Sequence, residues 1–69
     1  MKIIDQQGDE HLTHEVSFSG TVVKCTPDSD HRKHEELGNY GSMRRAAEVM
    51  AEIYSLSSNG EDVFRMPKE

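Results

Sequence analysis

The chain opens on a short apolar stretch, Lys2-Ile3-Ile4-Asp5, closed by Gln6-Gln7-Gly8-Asp9. This predicts a brief strand and a turn. Residues 9–15, Asp-Glu-His-Leu-Thr-His-Glu, are polar and predict irregular chain. From Val16 to Thr26 the composition changes. Val16, Phe18 and Val22 share one parity among Thr, Ser and Val, which is strand chemistry with a period of two. Gly20 falls inside this strand and predicts a bulge. Val23 and Cys25 take the opposite parity, so both faces are partly covered near its end. Thr26-Pro27-Asp28-Ser29-Asp30 is a loop by every local signal. A second long strand is expected near His34–Tyr40, antiparallel to the first, although Glu35, Glu36 and Gly38 are poor strand formers.

The next segment carries the clearest periodicity. Met43, Ala46, Ala47, Met50, Ile53 and Tyr54 recur at spacings of three and four, and Val49 and Leu56 extend the stripe. Ser42 is a good N-cap. Arg44, Arg45, Glu48 and Glu52 face away, with Arg44 and Glu48 at i, i+4. The pattern predicts a one-sided helix of about 13–15 residues lying on a sheet. Glu48 and Glu52 belong to its solvated face and not to a catalytic pair, since nothing apolar surrounds them to raise a pKa. Ser57-Ser58-Asn59-Gly60 stops the helix, Asn59 or Gly60 supplying the left-handed residue. Asp62-Val63-Phe64-Arg65-Met66 is a last strand, stopped by Pro67. The predicted fold is one α+β domain over residues 1–69: a small antiparallel sheet of three to four strands packed by one amphipathic helix, in the order β-β-β-α-β.

Composition limits how such a domain holds together. Of 69 residues, 33% are hydrophobic, 30% are charged and none is Trp. A core this small supplies only roughly 3–5 kcal/mol, so a metal, a disulfide or a partner often assists. A single cysteine, Cys25, excludes an internal disulfide. Thirteen acids against eight bases give a net charge of −5, which weighs against a duplex-binding module, because phosphate contacts need clustered Lys and Arg. No apolar run approaches the ~18 residues of a membrane span. Met1–Asp5 is too short, and too acidic downstream, for a signal peptide. A soluble intracellular protein is expected.

The histidines bring in candidate chemistry. They fall in two pairs of equal spacing, His11-Leu-Thr-His14 and His31-Arg-Lys-His34, with Cys25 between them. Zinc and related ions take four soft or borderline donors at roughly 2.0–2.3 Å. If Cys25 ends one strand and His34 begins its antiparallel partner, with His31 in the loop above, the hairpin converges three ligands. The fourth is His14, with His11, Asp28 and Asp30 as alternatives. The expected site is therefore Cys25, His31, His34 and His14 around a structural Zn²⁺. Exposed histidines in polar segments, and a buried cysteine acting as a small hydrophobe, are the plainer reading of the same residues. Binding energy of order 10 kcal/mol for structural zinc in peptides would exceed what the core supplies. A catalytic role is not expected. There is no His-Glu-x-x-His helix, little volume for a substrate pocket, and no third group or oxyanion donor to make Cys25 a nucleophile.

Leu37-Gly38-Asn39-Tyr40-Gly41-Ser42, Arg45-Ala46-Ala47-Glu48-Val49-Met50 with Ile53, and Val63-Phe64-Arg65-Met66-Pro67, together with the start Met1-Lys2-Ile3-Ile4-Asp5-Gln6-Gln7-Gly8, resemble short phage and prophage proteins of Gram-positive bacteria. In those proteins a Leu-Gly-x-Tyr-x-Ser strand end leads into an Arg-Ala-x-x-Val helix and closes on a Phe-x-Met-Pro strand. The resemblance covers about half of the chain. It implies the fold and a phage origin, and carries no catalytic residue. An aromatic often stands near the position of His14 in those proteins, so the histidine pairs depart from their pattern. Size, acidity, the phage-like pattern and the His/Cys set are together similar to type II-A anti-CRISPR proteins, which inhibit Cas9 and include a zinc-containing class.

The expected function is accordingly that of a phage-encoded inhibitor which is no enzyme and binds a host defence nuclease, Cas9, through protein–protein contacts. Cas9 presents a positively charged nucleic-acid channel, and a domain of charge −5 is steered toward basic surface. Arg32-Lys33 and Arg44-Arg45 interrupt the acidic runs, so direct imitation of DNA is not expected. The alternative is a small phage accessory or nucleic-acid-binding regulatory protein, with those four basic residues as its contacts. A monomer or weak dimer is expected, with no membrane contact.

Overall fold

The computed structural model of the chain describes residues 1–58, 60 and 62–68. The elements run β1 (Lys2–Ile4), β2 (Glu10–Ser19), β3 (Val22–Pro27), β4 (Glu35–Asn39), α1 (Met43–Ser58) and β5 (Val63–Arg65). The strands form one mixed sheet in the spatial order β4-β3-β2-β1-β5. β1 is parallel to β5, and every other pairing is antiparallel. One helix packs against β2 and β3, so the α+β class with a single helix on a small sheet is as the sequence predicts.

The sheet has five strands, with β1 and β5 parallel and four strands before the helix, where three to four antiparallel strands in the order β-β-β-α-β were expected. The extra strand arises because the one expected over Val16–Thr26 is a hairpin, and residues 10–15, expected to be irregular, belong to its first arm. Gly20 is not a bulge. It takes φ +60° as the first residue of the two-residue turn Gly20-Thr21 that joins the paired Ser19 and Val22. Glycine at that position gives the backbone the twist of a II′ hairpin turn. The polar segment forms a strand because only alternate side chains need cover: Thr13 is buried and His11 half-buried, while Glu10, Leu12 and Glu15 face solvent. The bulge lies at His14 instead. Thr13 pairs with Pro27 and Glu15 with Thr26, so one extra residue lies between neighbouring pairs. That extra residue brings Val16 back to the buried face alongside Thr13.

The helix runs over 16 residues and begins as predicted, with Ser42 Oγ accepting the Arg45 N–H at 3.1 Å. Ala46, Val49, Met50 and Ile53 form its buried stripe. They meet Ile3, Val16, Val23, Leu37, Phe64 and Met66 from the sheet and its C-terminal end. Glu48 pairs with Arg45 at i, i+3, where Arg44 was expected. Met43 and Tyr54, at the ends of the predicted stripe, are exposed, and the Tyr54 hydroxyl donates to the Val16 carbonyl. Asn59, one of the two residues expected to end the helix, lies outside the described residues.

The sheet curls. β1 and β4 are separated by two strands, yet Gln6, just after β1, reaches the outer edge of β4. Its N–H donates to the Leu37 carbonyl, and its Oε1 accepts from the Asn39 N–H at 2.9 Å. Its Nε2 donates to the Pro67 carbonyl, which also accepts from the Tyr40 hydroxyl. Gln6 thus occupies part of an edge that would otherwise expose unpaired backbone groups. The curl also brings the end of β1 over the start of β4, and there the candidate site lies.

Candidate metal centre

Strand register assembles this site. Ile3 pairs with His11, so Ile3, Asp5 and His11 share a face. Cys25 pairs with Val16 on one side and with Glu35 on the other, which places Cys25 and Glu35 on the same face of the sheet, Cys25 buried and Glu35 at the exposed rim. His11, Cys25 and Glu35 come from three neighbouring strands, and one donor atom from each lies within 4.8 Å of the other two. A tetrahedral ion with bonds of 2.0–2.3 Å sets its donors roughly 3.3–3.8 Å apart. Small side-chain adjustments would therefore close the three on one ion. The group can hold a metal ion.

The imidazole of His11 is held at both nitrogens. Nδ1 faces Glu35 Oε1 at 3.1 Å, and Nε2 faces Asp5 Oδ2 at 2.7 Å. Asp5 is itself fixed, its Oδ1 accepting the N–H groups of Gln7 and Asp9 at 2.8 and 2.9 Å. Burial alone would raise the Asp5 pKa. The hydrogen bond from His11 and the two backbone N–H groups outweigh burial and hold it below the ordinary carboxylate value. Burial would likewise lower His11, but its hydrogen bonds to Asp5 and Glu35 and their two charges lift it above its ordinary value. Without metal, the ring stands between two carboxylates that favour its protonated form.

Cys25 is 1% exposed. Burial pushes its thiol up to about 11, and the charge of Glu35 adds to the rise. Such a thiol is protonated at neutral pH and is a poor nucleophile. A metal ion bound there would displace its proton and hold it as a thiolate.

The structure distributes the histidines expected at the site. Among the described residues, the donor group of three contains Cys25 but none of His14, His31 and His34. His14, on the β2 bulge, stacks on His31 from the β3–β4 loop, with ring centroids 3.8 Å apart and planes 7° from parallel. His34 is exposed just before β4. His11, an alternative for the fourth ligand in the sequence, is central. Glu35 was not expected. The loop around Asp30 is the centre of symmetry that pairs 25 with 35, whereas the sequence reading opposed Cys25 to His34. A slip of one residue moves a side chain to the other face of a strand, and this replaced a histidine by a carboxylate.

Comparison with protein-family models, curated proteins and solved structures finds no match. Among the described residues no helix is long and apolar enough to cross a membrane.

Proposed function

We propose that the chain is a non-catalytic binding protein, braced by a structural zinc ion at His11, Cys25 and Glu35, that docks on a basic surface of a host defence nuclease. The observation that carries the metal is the convergence of an imidazole, a thiol and a carboxylate from three neighbouring strands in a domain with a thin core. A thiolate with an imidazole suits zinc over magnesium or calcium, which prefer oxygen ligands throughout. The ion would tie β2, β3 and β4 together where the β3–β4 loop leaves the sheet, and its binding energy would become folding energy.

The net charge of −5 and the exposed acids Glu10, Glu15, Asp28 and Glu36 support a basic protein partner. Size, acidity, the phage-like pattern and the His/Cys set, taken together, are similar to type II-A anti-CRISPR proteins, and on that similarity Cas9 is the partner we put forward.

Two measurements test the two parts. Elemental analysis of the purified chain, with melting in the presence and absence of chelator, should find near-stoichiometric zinc and a lower Tm in chelator. A metal-free chain whose melting ignores both chelator and added zinc removes the brace. Guide-directed DNA cleavage by Cas9 should fall in proportion to added protein. Cleavage at full rate in large molar excess removes that partner for the enzyme assayed.

A further inference from the structure

The three donors do not complete a tetrahedron, and the surroundings say which side is open. Cys25 closes the site from the core. Asp5 holds the ring nitrogen of His11 that faces away from Glu35, so it serves as the orienting carboxylate of a metal-bound histidine and leaves Nδ1 for the ion. On the remaining side lies an open groove of about 510 Å³, lined by Glu10, His11, Leu12, Pro27, Asp28 and Glu35 together with Ser29. Two of the three donors, His11 and Glu35, form part of its wall, and Cys25 does not.

Charge decides what can enter. A thiolate and a carboxylate already neutralise a divalent ion, and Asp28 adds negative charge to the groove wall, where Glu10 is paired with Lys2. A further anion is disfavoured there, while a neutral nitrogen donor is not. The chain's own histidines are placed elsewhere: His14 and His31 stack on each other, and His34 lies outside the donor group.

We propose that the ion held by His11, Cys25 and Glu35 keeps its fourth position open to this groove, taken by water in the free protein and exchangeable for a neutral nitrogen donor of the imidazole class. This rests on the metal-braced reading above and gives the same ion an exchangeable ligand position.

The test uses the full chain, stripped with chelator and loaded with Co²⁺, with imidazole as the probe. A thiolate-to-cobalt charge-transfer band is expected in the near ultraviolet. Imidazole should shift the visible d–d bands saturably, and azide at the same concentration should leave them in place. Cys25→Ala should remove the charge-transfer band. Glu35→Gln, at an exposed position that leaves the core intact, should weaken Co²⁺ binding if the alanine variant does not fold. His34→Ala should leave the resting spectrum unchanged. Bands that ignore imidazole mean a closed site and overturn the inference alone, leaving the brace standing. Bands that azide moves as readily overturn the preference for a neutral donor. A resting spectrum altered by His34→Ala makes His34 the fourth ligand and overturns the open position. If no charge-transfer band forms at all, the inference and the metal brace both fall.

Discussion

Asp5 and His11 meet at 2.7 Å across the β1–β2 turn, and the same aspartate ties down the backbone of that turn through Gln7 and Asp9. One carboxylate therefore serves a local turn and a contact that reaches, through the imidazole, to Glu35 on the far strand. Without metal the arrangement favours an ion pair, and with the proposed ion bound His11 would be a ligand and Asp5 its orienting partner. The two states respond to pH in opposite directions, which gives the first prediction.

For the chelated protein the signs are as follows. Asp5 has its pKa lowered on folding, so its contribution is present above the ordinary value of 3.8 and is lost as pH falls through its depressed value. His11 has its pKa raised, so its contribution is complete below the ordinary value of 6.5 and is lost as pH rises through its elevated value. The metal-free Tm should be highest between those two ordinary values and decline on both sides. His11→Gln should remove the decline that sets in above 6.5 and leave the one that the buried Cys25 thiol brings above its ordinary value of 9.0. With zinc present the alkaline limb should invert, because the imidazole and the thiol must lose protons to bind. Thermal melts across pH with and without chelator check this, and parallel profiles in the two conditions would count against a site at His11.

Cys25→Ala should separate packing from ligation. The side chain is buried, and replacing its sulfur by hydrogen should cost the metal-free protein about 1 kcal/mol. The larger effect should be loss of the chelator dependence of Tm, with the variant melting alike under both conditions. Calorimetry of wild type and variant with added zinc measures both effects. A variant that keeps the full zinc-dependent rise in Tm places the ion at other residues.

The extent to which these features are legible in the sequence follows from their physical origin. The helix is legible because its stripe, Ala46, Val49, Met50 and Ile53, depends only on local periodicity, and Ser42 caps it as its chemistry dictates. The β2–β3 hairpin is not, because Gly20-Thr21 is a turn only if both flanks are strands, and the first flank is polar. Its pattern is further broken by the His14 bulge, which moves Thr13 and Val16 onto one face at odd spacing. Cys25 is legible as a donor, and so is the principle that a hairpin gathers ligands. The partners are not, since Glu35 and His34 are adjacent in sequence and only the register chooses between them. Gln6 is the least legible of all. Nothing local marks a glutamine as the cover for a distant strand edge.

That cover can be tested. Gln6→Ala removes the side-chain acceptor of the Asn39 N–H and the donor to Pro67 O, two bonds at the rim of the sheet. Each is worth roughly 0.5–1.5 kcal/mol, so the variant should lose about 1–3 kcal/mol and show faster hydrogen exchange at Asn39. Gly38→Ala should disturb the same contact from the other side. A Cβ there would stand 2.9 Å from Gln6 Cδ, and that side chain is held at both ends of its amide. Slow exchange at Asn39 in Gln6→Ala would show that the edge is protected by something else.

A thin core with an ion beside it should make a damaging core substitution conditional on metal. Ile53 is 2% exposed on the helix face that packs on the sheet, and it lies apart from the donor group. Ile53→Ala should cost about 2–5 kcal/mol, comparable with the roughly 3–5 kcal/mol that a core of this size supplies. The chelated variant should therefore be largely unfolded at room temperature. Zinc at about a hundred times its dissociation constant restores about 2.7 kcal/mol, enough to refold a substantial fraction. Circular dichroism followed through a zinc titration should show helix returning in the variant with little change in wild type. If Cys25→Ala is added to Ile53→Ala, zinc should no longer restore the helix. Recovery in the double variant would mean that the stabilising ion binds without the thiolate.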